Sequence, residues 1–414
     1  MDAVSSKIDS GEAWLITVAS LAIASVCLAA PLVATVALKT VASDFGGYRS
    51  VPSAAISLSM IGTGVGGLAM GWLADRFGVR PVVMLGAVMV CAGLILSAGG
   101  EAWQLYLGHG LFIGLLGNAA IHAPLYIYVT RWFEMRRGTA LALVASGQYI
   151  AGAVWPPIFE RAIAVYGWRQ TMVGFGILVA AAVLPMAVLF LRAAPEQPEP
   201  MPGTAAAAAG NGTVLGLPPN AAFALLATAS FLCCVPMSMP ASHLIAFCGD
   251  VGLAASTGAA MLSVLLVCAF LSRQFWGWIS DRIGGLMTLV VGSAAQATAM
   301  LGFLLTQSEA GLFAVTALFG LGFSGLVPAY VLTIRQLFPA REASWRISAL
   351  LLTAMCGMAT GSWIAGVIYD SAGFYAPAFA TGIVANLAHL CLVAALALQW
   401  RRLSDRPALG RAAA

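Results

Sequence analysis

Uninterrupted apolar stretches alternate with short polar breaks from one end of the chain to the other. They fall at 14–38, 51–74, 81–99, 103–130, 138–158, 168–192, 221–247, 255–279, 285–306, 311–334, 345–369 and 374–399. Each is long enough to cross a hydrocarbon core about 30 Å thick as a helix. Strands of a membrane β-barrel would alternate apolar and polar positions over about ten residues, and these segments do not. The pattern predicts an all-α membrane protein with twelve transmembrane helices, six on each side of one long polar gap. The gap contains PEQPEPMPGTAAAAAGNGT, rich in Pro, Gly and Ala and free of aromatics, a composition expected of a flexible linker. The expected organisation is an N-terminal six-helix half over 1–192, a linker over 193–220, a C-terminal half over 221–400 and a tail over 401–414.

Composition agrees with that pattern and removes alternatives. Of 414 residues, 61% are hydrophobic and 9% charged, against about 25% charged in a soluble globule. A net charge of +4 is too small to argue for nucleic acid. The eight cysteines lie almost wholly inside apolar segments, with no CxxC and no metal-ligand spacing with histidine, so they read as small buried hydrophobes and no metal or cofactor is expected. The run from Trp14 has no small-residue cleavage site followed by a soluble domain and is taken as the first span.

Charge placement sets an expected orientation. Fifteen cations, from Lys7, Arg76, Arg80 and Arg131 through to Arg411 in the tail, fall on one side, and only Lys39, Arg49, Arg161 and Arg169 fall on the other. Cytoplasmic loops retain Lys and Arg. Both termini and the linker are therefore expected in the cytoplasm, with the chain multi-pass in the cell (inner or plasma) membrane.

The two halves repeat one another. GWLADRFG at Gly71 to Gly78 returns as GWISDRIG at Gly277 to Gly284, 206 residues later, and Gly167 in YGWR is offset by the same 206 from Gly373 in AGFY. Parallel six-helix repeats place a shared binding site at their interface near the midplane, with one half rocking against the other.

The duplicated loop resembles the signature between spans two and three of the major facilitator superfamily, and the resemblance covers the whole chain. It implies the major facilitator fold and a conformational latch at Gly71, Asp75, Arg76, Gly78, Gly277, Asp281 and Arg282. The glycines would allow close backbone approach, and Asp75 would accept from a neighbouring helix N-terminus, holding the outward-facing state. RWFEMRRGTALALVASGQYIAG (131–152), SHLIAFCGDVGL (242–253) and SRQFWGWISDRIG (272–284) are similar to the monocarboxylate-porter group, which includes oxalate/formate-type antiporters. Trp14 with Pro31 resembles that group's span one, although SGEA is a degraded form of its acidic-Gly-Gly signature.

Arg273 is the only fully charged side chain that this reading cannot place in a loop or at the edge of a span. An arginine near a helix centre costs about 2.5 to 3.5 kcal/mol on insertion scales, and no Asp or Glu falls within any predicted span. Such a cation either snorkels to the nearby surface or awaits an anion from outside, for which its planar fork matches a carboxylate. In the resembled group an arginine at this position, four before the loop glycine, binds the substrate carboxylate. The group's aspartate one turn earlier is Ala269 here, its span-one lysine falls at Leu32, and the span-eleven lysine of oxalate-type members is missing, with only Arg346 at the start of that span. A single cation favours a monoanion.

Asn118, His122 and Tyr126 stand four apart and make one polar stripe on span four. His122 is a candidate for substrate binding and for carrying a proton, or else it forms an interhelical hydrogen bond. Tyr330, two after Pro328, matches a position where relatives offer a hydroxyl to the carboxylate, or else it packs. Gln148 is a further candidate in span five, with Tyr149 beside it. His243 and Asp250 would shape the outer mouth or cap span seven. Gln296, Asn386, His389 and His109 are expected to be structural.

No nucleophile with a base, metal cluster or phosphate-cradling loop appears, so no enzyme activity is expected. GTGVGG at Gly62 to Gly67 lies inside a span and reads as a packing face. The expectation is a monomeric secondary transporter of a small carboxylate, with protons and the lipid bilayer as further partners and no nucleic acid. Alternatives are an exporter of amphipathic or neutral compounds, with a Met-rich cavity around Met237 and Met239, and an anion:anion exchanger.

Overall fold

The structure, a computed structural model, describes residues 8–192 and 213–404. The expected linker lies mostly, and the tail from 405 onward, outside the described residues. Among the described residues twelve apolar helices form the body: α1 (Gly11–Val36), α2 (Ser50–Phe77), α3 (Val79–Ser97), α4 (Ala102–Thr130), α5 (139–166), α6 (168–190), α7 (Pro219–Asp250), α8 (Ala255–Ile283), α9 (Gly285–Leu305), α10 (Glu309–Leu337), α11 (Ala340–Ala372) and α12 (Ala376–Ser404). Spans five and six run on as one helical stretch, divided only at Gly167, where φ 80° and ψ 163° are open to a residue without Cβ.

The repeat read from the loops is present in the backbone. Gly78 ends α2 at φ 85°, ψ 160°, and Gly284 ends α8 at φ 79°, ψ 163°. Each turns the chain straight into the next helix at a positive φ that suits glycine. Apart from the chain immediately around each glycine, nothing stands within 4 Å of the place a Cβ would occupy at Gly71, Gly78 or Gly277. The expected close backbone approach at these glycines is therefore not what they provide here; at Gly78 the backbone conformation explains the residue.

Hydrocarbon supplies little drive for one apolar helix to meet another, so packing depends on fit. Each half has its own core, one built around Ile16, Ile23, Val83 and Phe159 and the other around Met239, Phe303, Phe319 and Phe379. Large apolar side chains such as Leu68, Leu189 and Val384 remain exposed on the outside, as suits a surface bathed in lipid. Helix α2 packs on α11 and α5 on α8, and these two pairs form the seam between the halves.

One local departure was not foreseen. Within α4, Gly108–Asn118 is π-helical, a wider winding that occurs mostly at special sites. Gly108, Gly110, Gly114 and Gly117 supply this segment, and Asn118 closes it directly before the His122 turn.

Candidate functional site

Three spans bring polar side chains to one depth. Arg273 lies ten residues from the end of α8, and Tyr149 ten residues into α5; at 1.5 Å per residue both stand about 15 Å from the helix ends on the side of the termini. The Arg273 guanidinium sits 5.3 Å from the centroid of the Tyr149 ring, within the range of a cation–π contact. Because α5 and α8 belong to different halves, this contact crosses the seam. The guanidinium is aimed over that ring, not turned out along the helix surface.

Among the described residues no carboxylate lies within ion-pair distance of Arg273, which is half-buried. His122 and Tyr126 lie within electrostatic reach of its charge. Their rings pack at 4.6 Å, as the four-residue spacing on one helix face requires. Asn118, 4% exposed, has an Oδ1 with no hydrogen-bond partner. A cation, an imidazole and two phenols are thus gathered where they can bind an anion and orient it; the Asn118 oxygen, an acceptor, cannot donate to one.

Other predicted residues stand elsewhere. Gln148 is exposed while its neighbour Tyr149 is buried; helical rotation of 100° separates them. Tyr330 is buried in the core of the C-terminal half, and its hydroxyl hydrogen-bonds His389 Nε2 at 2.8 Å. A chain of bonds continues through Ser293, Asn386 and Gln296 to the Cys233 carbonyl. The hydroxyl expected to face a substrate is thus already engaged between α10 and α12. Met237 and Met239 are likewise buried in that core and do not form the Met-rich cavity of the exporter alternative.

Of the latch residues, Asp75 meets Arg131 of its own half at 2.7 Å, with both side chains about half exposed. Arg76 lies over the Trp72 ring and Arg282 over the Trp278 ring, each on its own helix. The side chain of Asp281 lies outside the described residues.

A second polar cluster stands on the face remote from the termini, where the sequence reading puts His243 and Asp250; what that reading does not give is their partners across the seam. The expected spans end at 247 and 369, but α7 and α11 run on and carry Asp250 and Asp370 in their last turns, as α5 runs on past 158 and takes in Glu160. Arg49 grips Asp250 end-on, Nη1 to Oδ2 at 2.5 Å and Nη2 to Oδ1 at 2.6 Å. Lys39 donates to the same carboxylate at 3.0 Å. Asp370 accepts from the backbone N–H groups of Arg49 and Ser50, at 2.7 and 2.9 Å. It thereby caps the start of α2, which has no side-chain cap of its own.

Every one of these bonds joins the halves. Behind them His243 is fully buried, with Nε2 facing the Ser362 carbonyl at 2.8 Å and Nδ1 facing the Tyr375 hydroxyl at 2.9 Å. The carbonyl requires an N–H at Nε2, so Nδ1 accepts from Tyr375. Ser53, across the seam, approaches Nε2 at 3.3 Å.

The 206-residue repeat carries a signal for this cluster. Asp250 is the repeat partner of Asp44, and Tyr375 that of Arg169. In the N-terminal half Asp44 is held by its own half, through Trp168 Nε1 at 3.0 Å and Arg169 at 3.2 Å. The C-terminal half has a tyrosine where that arginine would stand.

A long apolar bundle in two pseudo-repeat halves with a polar cluster at the seam is the architecture of a membrane transporter. The sequence profile of the Major Facilitator Superfamily matches residues 15–308 and 226–413, and the chain belongs to that superfamily of transporters. Monocarboxylate transporter 13 of Bos taurus is 25% identical over 80% of this chain and 75% of its own length. The MFS transporter asaE of Aspergillus flavus is 27% identical over 74% of this chain and 68% of its own. The crystal structure of a POT family transporter in complex with 5-aminolevulinic acid superposes with a TM-score of 0.72 at 13% identity, covering 93% of this chain and 96% of that one; the likeness speaks for the fold alone.

Proposed function

We propose that this multi-pass transporter moves a small organic anion, a monocarboxylate in the simplest case, by rocking its two halves about a site anchored by Arg273. The observation that carries the reading is a half-buried guanidinium on a membrane-spanning helix with no carboxylate beside it among the described residues. A charge in such a place is costly unless something neutralises it, and a substrate carboxylate does so through two parallel hydrogen bonds. Similarity to monocarboxylate transporter 13 supports the same substrate class.

In this reading Tyr149 holds the guanidinium from the opposite half, so substrate binding and seam contact are linked. His122 and Tyr126 donate to the bound anion, and His122 is the candidate for carrying a proton with it. Tyr330 props α10 against α12. Cation placement supports termini in the cytoplasm, and the bonded seam on the remote face then belongs to the inward-facing state.

The test is uptake of radiolabelled acetate, lactate and pyruvate into proteoliposomes, with and without a pH gradient. Arg273→Gln is expected to lower uptake at least a hundredfold, and His122→Ala to remove the stimulation by the gradient. Undiminished carboxylate transport by Arg273→Gln sinks the anion reading.

A further inference from the structure

We infer that Arg49 and Lys39 form a second carboxylate-binding site at the remote mouth, which Asp250 fills from the opposite half when that mouth is closed. The inference rests on the proposed carboxylate transport. In this state the site is complete and occupied by an internal ligand. The Arg49 fork takes both oxygens of one carboxylate, at 2.5 and 2.6 Å, and Lys39 adds a third donor at 3.0 Å. The Arg49 side chain is only 7% exposed, and its guanidinium lies 3.6 Å from the centroid of the Tyr369 ring. This is the geometry by which proteins recognise carboxylates in general.

The ligand and the site belong to different halves. Lys39 and Arg49 stand in the N-terminal half, while Asp250, Asp370 and Tyr369 stand in the C-terminal half. When the halves part on this face, both carboxylates leave with α7 and α11. Two cations and the uncapped start of α2 stay behind. The remaining acid nearby in the N-terminal half, Asp44, is bonded to Trp168 and Arg169. The vacated place therefore attracts an external anion of the size and charge of an aspartate side chain, which is a small monocarboxylate. Closure of the face returns Asp250 to its place, displaces the bound anion and leaves the deeper cation, Arg273, to receive it.

A simple latch makes a different prediction. If the Arg49–Asp250 pair only held the mouth shut, removing either partner would have the same effect, easier opening and a lower apparent KM from the remote face. A binding site with a built-in competitor gives opposite signs. Membrane vesicles of both orientations, sorted by accessibility of a C-terminal epitope, allow the KM for radiolabelled lactate to be read from each face separately.

Asp250→Asn is expected to lower the KM from the remote face at least threefold, and Arg49→Gln to raise it at least tenfold, each leaving the KM from the other face within twofold. Lys39→Gln, at an exposed position that asks little of folding, should raise the remote-face KM about threefold. Shifts of one sign in Asp250→Asn, Arg49→Gln and Lys39→Gln overturn the second site while leaving carboxylate transport standing. Should Arg49→Gln fail to reach the membrane, the opposition between Asp250→Asn and Lys39→Gln decides. Absence of saturable transport of acetate, lactate and pyruvate by the unaltered protein overturns both readings.

Discussion

Asp44 and Asp250 are one residue twice, carried to the same place in each half by a 206-residue repeat, yet they do opposite work. Asp44 bonds Trp168 and Arg169 and ties the end of its own half together. Asp250 has Tyr375 where that arginine would be, and takes Arg49 and Lys39 from the other half instead. Two differences in the second copy, Phe374 for Trp168 and Tyr375 for Arg169, remove both donors and leave a carboxylate that must be satisfied across the seam. The four cations of the remote face all lie in the N-terminal half, so the C-terminal half brings acids and the contact has polarity.

The largest effect should come from Asp250→Asn. It leaves Arg49 nearly buried without a counter-ion, a situation that costs about 3 to 5 kcal/mol when one partner of a buried pair is removed. Discounting for the 23% exposure of Asp250, about 2 kcal/mol remains, which corresponds to a roughly thirtyfold rise in the population open on the remote face. Labelling of a cysteine introduced into the seam from that side measures it. Asp44→Asn, the repeat-related change, should leave this labelling rate alone; equal effects at the two positions would erase the distinction.

A smaller effect is expected from Tyr375→Arg, which restores to the C-terminal half the cation its partner has at Arg169. Asp250 then has a partner within its own half, and the cross-half pair weakens. Seam labelling should rise several-fold. His243 loses the Tyr375 hydroxyl in this variant, so Tyr375→Phe serves as the control and should account for only part of the rise. The smallest effect is on stability: Asp44→Asn removes a half-exposed pair of the kind worth about 0.2 to 1 kcal/mol, and a thermal midpoint lower by a few degrees at most is the expected reading.

Much of this molecule was legible in the one-dimensional pattern because the bilayer imposes a simple rule. Every backbone group in hydrocarbon must bond within its own segment, so apolar length alone marks the twelve spans. The duplicated loops then give the two halves, and a lone Arg273 deep in a span marks the site proposed here. The π-helical winding of α4 was not legible, since glycines at 108, 110, 114 and 117 suit close packing in either kind of helix. Nor was the engagement of Tyr330 by His389, which depends on how α10 and α12 are rotated against each other.

What the amino-acid order determined by itself is therefore the scaffold, its repeat and the existence of an unneutralised charge within it. Which charges neutralise one another was decided only by tertiary structure. Arg49 and Asp250 are 201 residues apart, and Arg273 and Tyr149 belong to different halves. Electrostatic energy depends on separation in space and on exclusion of water, and neither is encoded by distance along the chain. Helix packing placed one cation against an acid and left another facing a phenol.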